Sequence, residues 1–395
     1  MTSSPHPITI FDVADAGRHC PAMDRADDNI VADFEAAHLT VHLPRLAENF
    51  RTVQRLAGPA VVAAVVKADA YGTGLAPAAR AFAAAGCDSF FVARLEEGVA
   101  LRALLPKARI FVLDGAQPDM VPALISHRLT PVLNSLAEIA AWSAAALATH
   151  SQLDAAVHID TGMNRLGLSG QELSNLAAEH LRLLSGLRVV LWMSHLACAD
   201  EPDSKMNAVQ LDRFKTALAM LPPAPASLSA SGGILLGKDY HFDLVRPGVC
   251  LYGGSPQSGI ANPFAAAVRL NATIMQLRLA EKGQTVGYGA TYRLKRPSVL
   301  GTAALGYADG IFRSLSNAGS VAVGGVRAPI VGRISMDLLT FDLTDIPHPV
   351  HAGDTVELFG ETIALEEIAA AAGTISYEIL TSLSRRARRS YEELS

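Results

Sequence analysis

The stretch Ala60-Val61-Val62-Ala63-Ala64-Val65-Val66 is the longest unbroken apolar run in the sequence, and Lys67 follows it directly. A membrane span needs about 18 apolar residues or more, so this run predicts a buried strand instead. A lysine at the end of such a strand is either an edge residue whose amine reaches water or a reactive amine. The small, glycine-rich residues 68–74 that follow it include one phenol, that of Tyr71.

Short β-rich runs alternate with helix-length amphipathic stretches on the C-terminal side of this strand, a pattern typical of βα units and a parallel sheet. Eight strands separated by helices favour a (β/α)8 TIM-type barrel over an open sheet. No Gly-x-Gly-x-x-Gly motif follows the first strand, which argues against a dinucleotide-binding fold. The predicted strands are 61–66, 89–93, 110–113, 130–133, 155–159, 189–193, 227–229 and 242–245, and the predicted helices are 77–85, 95–105, 136–147, 171–184 and 207–221.

The sequence changes character after Pro263, where Gly, Val and Thr recur in alternating segments with glycine turns between them. This pattern predicts a C-terminal antiparallel β domain, with strands at 272–279, 299–304, 320–323, 338–343 and 355–359 and a helix at 364–372. We therefore expect an N-terminal extension at residues 1–38, the barrel at 39–265 and the β domain at 266–395. The extension has no cationic start followed by an apolar stretch, so we expect a cytoplasmic protein.

The composition excludes several classes of protein. The 395 residues suffice for one large and one smaller domain at about 150 residues each, and 50% hydrophobic with 18% charged residues is far from a disordered composition. The 33 basic and 38 acidic residues leave a net charge of −5, which gives little support for nucleic-acid binding. The four cysteines form no metal-ligand cluster, so we expect no metal, and we expect no membrane contact.

The position of Lys67 suggests covalent chemistry. The carboxyl ends of barrel strands form the active face of such folds. An amine there has its pKa lowered by desolvation and by neighbouring cations, as Schiff-base formation with an aldehyde requires. Pyridoxal phosphate is the aldehyde that we expect.

The segment VVKADAYG at residues 65–72 resembles the lysine motif of the alanine racemases, which are barrel-type pyridoxal-phosphate enzymes. The resemblance covers about residues 39 to 391 and implies the same fold, cofactor and activity. Six further segments are similar to that family in the same order: HIDTGMNRLG (158–167), SHLA (194–197), RPG (246–248), VGYGATY (286–292), GYADG (306–310) and GRISMD (332–337).

The resemblance implies that Lys67 binds the cofactor covalently and exchanges a proton on one face of the substrate α-carbon. Tyr288 is then the acid/base on the opposite face. Racemisation needs two such groups because a single base cannot easily reach both faces. Arg246 is implied to face the pyridine nitrogen and, since a guanidinium keeps its proton, to leave that nitrogen unprotonated. His195 is implied to link Arg246 to Tyr288.

The resemblance implies the remaining contacts as well. In the family, the second domain of one subunit covers the barrel mouth of the other, so we expect a homodimer with composite sites. The implied residues are Tyr71, Ser231, Gly248 and Val249 at the cofactor, Arg165 and the Met336 backbone N–H at the substrate, and Tyr307, Arg313, Arg333 and Asp200 at the entrance.

His158 departs from the family pattern, because many members carry a carbamylated lysine at this position. Histidine cannot form that anion, so Arg165 lacks its usual negative partner. We expect His158 to support Arg165 together with a captured anion.

The leading interpretation is a racemase that acts on alanine, a small amino acid, and supplies D-alanine for peptidoglycan. A serine or broad-specificity amino-acid racemase is an alternative, since no motif measures the volume of the pocket. A non-catalytic pyridoxal-phosphate-binding protein is the alternative from another class. The segment that contains Tyr288 argues against it.

Overall fold

The computed structural model describes residues 36–393. Its strands are β1 (Ala37–His42), β2 (Val61–Val62), β3 (Ala64–Val65), β4 (Ser89–Val92), β5 (Arg109–Val112), β6 (Thr130–Leu133), β7 (Leu153–His158), β8 (Leu187–Met193), β9 (Ala226–Ser227), β10 (Leu244–Val245), β11 (Val268–Ala280), β12 (Thr285–Val286), β13 (Tyr292–Arg293), β14 (Ser298–Ala303), β15 (Ser320–Val323), β16 (Val326–Pro329), β17 (Leu339–Asp342), β18 (Thr355–Phe359) and β19 (Arg388–Glu392). Its α-helices are α1 (Leu43–Ala57), α2 (Lys67–Tyr71), α3 (Leu75–Ala84), α4 (Leu95–Leu104), α5 (Val121–Ser126), α6 (Leu136–Ala148), α7 (Gly170–Leu183), α8 (Lys205–Ala219), α9 (Ser231–Leu235), α10 (Leu365–Ala372) and α11 (Ser376–Ser382).

The parallel strands curl into a barrel. β3 to β9 pair in sequence order. β2 directly precedes β3 in the chain, and the two are separated by a break at Ala63. β2 pairs in parallel with β10. The backbone of the β10 region also reaches β9, because Asp243 N donates to Ala226 O over 3.0 Å. The parallel sheet therefore closes on itself, because β10 bonds to β9 on one side and to β2 on the other. This confirms the predicted (β/α)8 barrel and its eight strand positions.

The barrel core is built by apolar side chains from neighbouring strands. Phe91 of β4 and Phe111 of β5 lie opposite each other in the ladder, and their rings stack with centroids 4.5 Å apart. Both are almost completely buried, and burying a side chain of this size contributes about 1.5–3 kcal/mol. This barrel unit consists of Leu39–Arg269, Ala364–Leu383 and the described part of Arg389–Ser395.

The second compact unit contains Leu270–Ile363 and Ser384–Arg388. Its antiparallel sheet has the order β16-β15-β18-β11, and β11 also pairs with β14, which pairs with β17. A small core of Ala280, Val286, Leu294, Leu300 and Val331 fills one part of it. The predicted antiparallel β domain is thereby confirmed in class.

Two expectations concern the ends of the chain and the membrane. The predicted extension at residues 1–38 lies outside the described residues, apart from its last three positions. Between residues 36 and 393, no helix combines the length and the apolar character that crossing a membrane requires.

Candidate active site

Lys67 begins a turn of unusual handedness. The four residues 68–71 all have positive φ, between 53° and 57°, so the turn that follows the lysine is left-handed. Gly72 N donates to Ala68 O over 2.8 Å, and the Asp69 carboxylate accepts from Leu75 N over 2.7 Å. These bonds fix the backbone that carries Lys67 at the carboxyl end of the first barrel strand.

The environment of Lys67 favours a neutral amine. Burial and the positive charge of Arg165 lower the pKa of Lys67, and the carboxylates of Glu97 and Asp114 oppose that shift. The amine lines a cavity of about 420 Å³ together with Tyr71 and other side chains. A neutral amine beside a cavity of this size can act as a nucleophile towards an aldehyde.

Tyr71, Ser231, Gly248 and Val249 come together at one end of this region. Gly248 N donates to Ser231 Oγ over 2.8 Å, and Val249 begins the short 3-10 helix Val249–Tyr252. A Cβ at Gly248 would lie 2.2 Å from the Tyr71 hydroxyl, so only glycine leaves room for the phenol. The result is a cluster of hydroxyl and backbone N–H groups, the donor set that a phosphate requires.

Arg246 is buried, with 3% of its surface exposed, in a network of oxygen acceptors. Burial lowers the pKa of Arg246. Its guanidinium also lies 3.3 Å from Nδ1 of His195, which therefore accepts a hydrogen bond, and the ring N–H is at Nε2. Burial and Arg246 hold the pKa of His195 well below its usual range, so this ring is neutral. The oxygens that accept from Arg246 are Ser194 O at 2.7 Å, Leu228 O at 3.4 Å and Ser227 Oγ.

Arg165 follows a loop that is ordered by one carboxylate. Asp160 accepts from Gly162 N over 2.8 Å, from Met163 N over 2.9 Å and from Asn164 N over 3.0 Å. Arg165 itself is exposed. The loop thus holds the backbone of Arg165 in place and leaves its guanidinium at the surface of the barrel unit.

His158 is a neutral, buried side chain. Asn134 donates through Nδ2 to Val132 O over 2.8 Å, so its Oδ1 is the acceptor that lies 3.0 Å from His158 Nδ1. His158 therefore carries its proton at Nδ1 and has Nε2 as an acceptor. Burial, followed by the charge of Arg246, lowers the pKa of His158 to about 4. Support of Arg165 by His158 and a captured anion stays a prediction.

Asp200 and His195 line a second cavity, with a volume of about 790 Å³. Asp200 is exposed, and its carbonyl accepts from Ser258 N over 3.0 Å. The barrel unit thus brings a predicted entrance residue and a predicted cofactor residue to one cavity.

In the β unit, Tyr288 and Arg333 share one region. Tyr288 lies in the 3-10 turn Tyr288–Ala290 with 71% of its surface exposed. A Cβ at Gly289 would lie 2.6 Å from Nη1 of Arg333, so the guanidinium packs against this turn.

Tyr307 and Met336 share a second region of the β unit. Tyr307 N donates to Ser335 O over 3.1 Å, and Ala308 N donates to Met336 O over 2.9 Å. Tyr307 is 44% and Met336 53% exposed. Arg313, also exposed, begins the 3-10 turn Arg313–Leu315 of the same unit.

The structure adds Tyr377 to the site residues that sequence reasoning proposed. Its ring lies 6.0 Å from that of Tyr71, and it lines both cavities. Burial raises the pKa of Tyr377. A tyrosine in the short helix α11 has the spacing of a packing residue, so this spacing alone does not mark it as a site residue.

The fold defines a two-part protein, a parallel barrel with a lysine at its mouth and an antiparallel β unit. The chain belongs to the alanine racemase family. Residues 41–256 match the family model for the alanine racemase N-terminal domain, and residues 267–391 match that for the C-terminal domain.

Relatives and solved structures agree with this membership. A catabolic alanine racemase of Agrobacterium fabrum (strain C58) is 49% identical over 90% of this chain and 92% of its own length. An alanine racemase of Rhizobium meliloti (strain 1021) is 46% identical over 90% and 97%. The crystal structure of the Bartonella henselae alanine racemase, with covalently bound pyridoxal phosphate, is similar with a TM-score of 0.87, 39% identity and coverage of 90% of this chain and 99% of that one.

Proposed function

We propose that this protein interconverts L- and D-alanine with pyridoxal phosphate and that Lys67 and Tyr288 are its two acid/base groups. Family membership makes the chain an amino-acid racemase, an isomerase that uses this cofactor. The observation that carries the assignment of Lys67 is its position at the end of the first barrel strand, with a lowered pKa and a cavity beside it.

The residues of the barrel unit fit the cofactor. Lys67 would hold its aldehyde carbon, and the hydroxyls of Tyr71 and Ser231 with the backbone of Gly248 and Val249 would hold its phosphate. When bound, pyridoxal phosphate withdraws electrons from the substrate α-carbon and so acidifies the α-proton. Lys67 and Tyr71, one member of the hydroxyl cluster, line the same cavity of about 420 Å³, which supports this arrangement.

Arg246 suits the role of partner to the pyridine nitrogen. Its guanidinium already donates to Ser194 and Ser227 and is held beside His195, so its position is fixed. A guanidinium does not release its proton in proteins, so the nitrogen that it faces receives none. By leaving that nitrogen unprotonated, Arg246 would limit competing reactions at the cofactor.

The second acid/base group comes from the β domain, which we propose to span residues 266–395. Tyr288 would deliver or remove the proton on the face opposite to Lys67. His195 would assist through its Nε2–H, which its bond to Arg246 leaves free to donate towards a phenolate. Arg165 and the backbone N–H of Met336 would hold the substrate carboxylate.

We propose a homodimer in which the β domain of one subunit completes the barrel site of the other. The 71% exposure of Tyr288 and the 53% exposure of Met336 support this, because large side chains left outside the core of their own unit are available to a second chain. Tyr307, Arg313 and Arg333 would then line the entrance opposite Asp200.

The proposal includes the biological setting. The product D-alanine would serve peptidoglycan synthesis, and the reaction would take place in the cytoplasm. Cys87, Cys198 and Cys250 are free thiols, as is typical of proteins in a reducing compartment.

The test combines the visible absorption of the purified protein with an assay of D-alanine formation from L-alanine. We expect a band at ~420 nm that borohydride removes, and we expect no such band in Lys67→Ala. Lys67→Ala should lower kcat/KM at least about 10⁴-fold and Tyr288→Phe about 10²- to 10⁴-fold, since each removes one proton-transfer group. Tyr288→Phe should retain the band.

Different outcomes would contradict different parts of the proposal. A wild-type protein that takes up no cofactor would reject the assignment of Lys67. A protein that takes it up but racemises serine in preference to alanine would reject the substrate.

A further inference from the structure

The carboxylate of Glu97 connects the start of helix α4 to the residue that follows Lys67. Glu97 Oε1 accepts from Ala68 N over 2.6 Å. Its Oε2 accepts from Ala93 N over 2.9 Å and from Arg94 N over 3.1 Å. One half-buried carboxylate therefore binds three backbone N–H groups from two neighbouring loops of the barrel mouth.

The same arrangement recurs at another helix of the barrel. Glu172, at the third position of α7, accepts from Ser169 N over 3.0 Å at its own helix start and from Leu136 N over 3.2 Å at the start of the preceding helix. We call each such carboxylate a glutamate clamp, because it binds the backbone of its own helix start and that of the preceding βα unit. Glu97 and Glu172 are thus a matched pair at two points around the barrel.

The two clamps differ in what they hold. Leu136 begins an ordinary right-handed helix, whereas Ala68 has a φ of 54° and begins the left-handed residues 68–71. Left-handed conformations are unfavourable for residues other than glycine, so this turn needs bonds from its surroundings to persist. A charged acceptor at Ala68 N is such a bond, and it acts on the residue next to Lys67.

We infer that Glu97 is a positioning residue for Lys67: its carboxylate fixes the left-handed turn and thereby directs the lysine amine into the cavity. The inference rests on the proposed role of Lys67 in binding the cofactor. It adds a residue outside the cofactor and substrate contacts, one that acts through the backbone of Ala68.

The charge of Glu97 has a separate effect on Lys67. Burial and Arg165 lower the pKa of Lys67, while Glu97 and Asp114 raise it. Loss of the Glu97 charge should therefore lower the pKa of Lys67 further. The two effects can be measured separately. The position of the Lys67 amine governs how fast the neutral amine reacts, and the charge of Glu97 affects the pH at which the amine becomes neutral.

The experiment measures covalent capture of pyridoxal phosphate by the full chain after its cofactor has been removed, as a function of pH. Glu97→Gln should lower the plateau rate at high pH about ten- to hundredfold, because a misdirected group loses rate steeply, and should move the midpoint to lower pH. Glu97→Asp keeps the negative charge, but its shorter side chain does not reach Ala68 N. It should therefore lower the plateau rate and leave the midpoint pH unchanged. Glu172→Gln, the matched control, should behave like the wild type.

Three results would overturn the inference. The first is capture by Glu97→Gln with wild-type rate and midpoint. The second is an equal loss in Glu97→Gln and Glu172→Gln, which would indicate a general effect on the barrel mouth. The third is a wild-type chain that captures no cofactor, which would also reject the proposed role of Lys67; the first two results leave that role intact.

Discussion

Arg246, a buried site residue of the barrel unit, and the predicted site residues of the β unit lie in opposite environments. In the barrel unit, Arg246 is 3% exposed and donates to three protein oxygens beside His195. In the β unit, Tyr288 is 71% and Met336 53% exposed. Arg246 and His195 of the barrel half are thus held in place within their own unit, whereas Tyr288 and Met336 of the β half are exposed side chains.

This difference has a physical basis. A buried guanidinium is tolerated only when oxygen acceptors surround it, so its position is determined by the fold of its own unit. An exposed phenol has no such requirement and is determined mainly by the backbone turn that carries it. The contrast teaches that stability and activity can be separated in this protein: a substitution at the buried Arg246 should affect both, and one at the exposed Tyr288 should affect activity.

The largest effect should come from mixing two inactive variants. If Lys67 and Tyr288 act in trans, a hybrid of Lys67→Ala and Tyr288→Phe subunits has one site with both native residues and one site with neither. Random exchange makes half of the dimers hybrid, so the mixture should recover about a quarter of the wild-type activity from two nearly inactive proteins. The assay is D-alanine formation after subunits have been exchanged at equal concentrations.

The control for this mixture is the Lys67→Ala/Tyr288→Phe double variant mixed with wild type. Its hybrids carry one mutated residue in each site, so mixing should lower the activity of the wild-type subunits. A mixture of the single variants that stays inactive after proven exchange would show that both residues act within one chain.

The next effect concerns stability in the barrel unit. Arg246→Met keeps a similar volume but leaves the buried oxygens of Ser194 and Ser227 without their donor. We expect it to lower the free energy of unfolding by about 3 kcal/mol, since each buried orphaned group costs about 1–3 kcal/mol. Urea unfolding measures this value.

Arg313→Met is the matched substitution in the β unit. Arg313 is exposed, so the free energy of unfolding should change by less than about 0.5 kcal/mol. Equal losses in the two variants would contradict the contrast between the units.

The smallest effect is on acid stability. The pKa of His158 is lowered to about 4 in the folded protein, against about 6.5 in the unfolded chain. Between these values the unfolded state binds more protons, so stability is present above pH 6.5 and is lost as the pH falls towards 4. His158 should therefore contribute a loss on the order of 2 kcal/mol between pH 7 and pH 5.

His158→Gln should remove that part of the acid dependence, and urea unfolding at several pH values measures it. His195, whose pKa is also lowered, should account for part of what remains. His351→Gln is the control, because His351 is exposed beside Asp354. An acid slope that His158→Gln leaves unchanged would refute the assignment.

Much of the fold could be predicted because its signals are local. The strands predicted at 320–323 and 355–359 agree with β15 and β18 to the residue, since glycines mark their ends: Gly319 and Gly324 flank β15, and Gly360 follows β18. The helix predicted at 136–147 ends one residue later, at Ala148. Helix α1 was not predicted, although its buried Leu46, Phe50 and Val53 have helical spacing.

The site was less accessible to sequence reasoning. The motifs led to Lys67 and Arg246, but their supports come from distant parts of the chain. Asn134 meets His158 across 24 positions and Glu97 meets Ala68 across 29. Such contacts depend on which strand ends lie side by side, and a pattern along the chain does not contain that information.

The left-handed residues 68–71 have a consequence for the variation that this chain can accept. Each such residue costs roughly 1–2 kcal/mol unless it is glycine, and β-branched side chains fit this conformation least well. Substitutions to valine, isoleucine or threonine should therefore be rejected at all four positions, although Ala68 and Asp69 are exposed to solvent. The set of amino acids that positions 68–71 tolerate is therefore restricted by the handedness of the backbone. In a library of random substitutions across this turn, most variants should fail to fold, whatever their effect on activity.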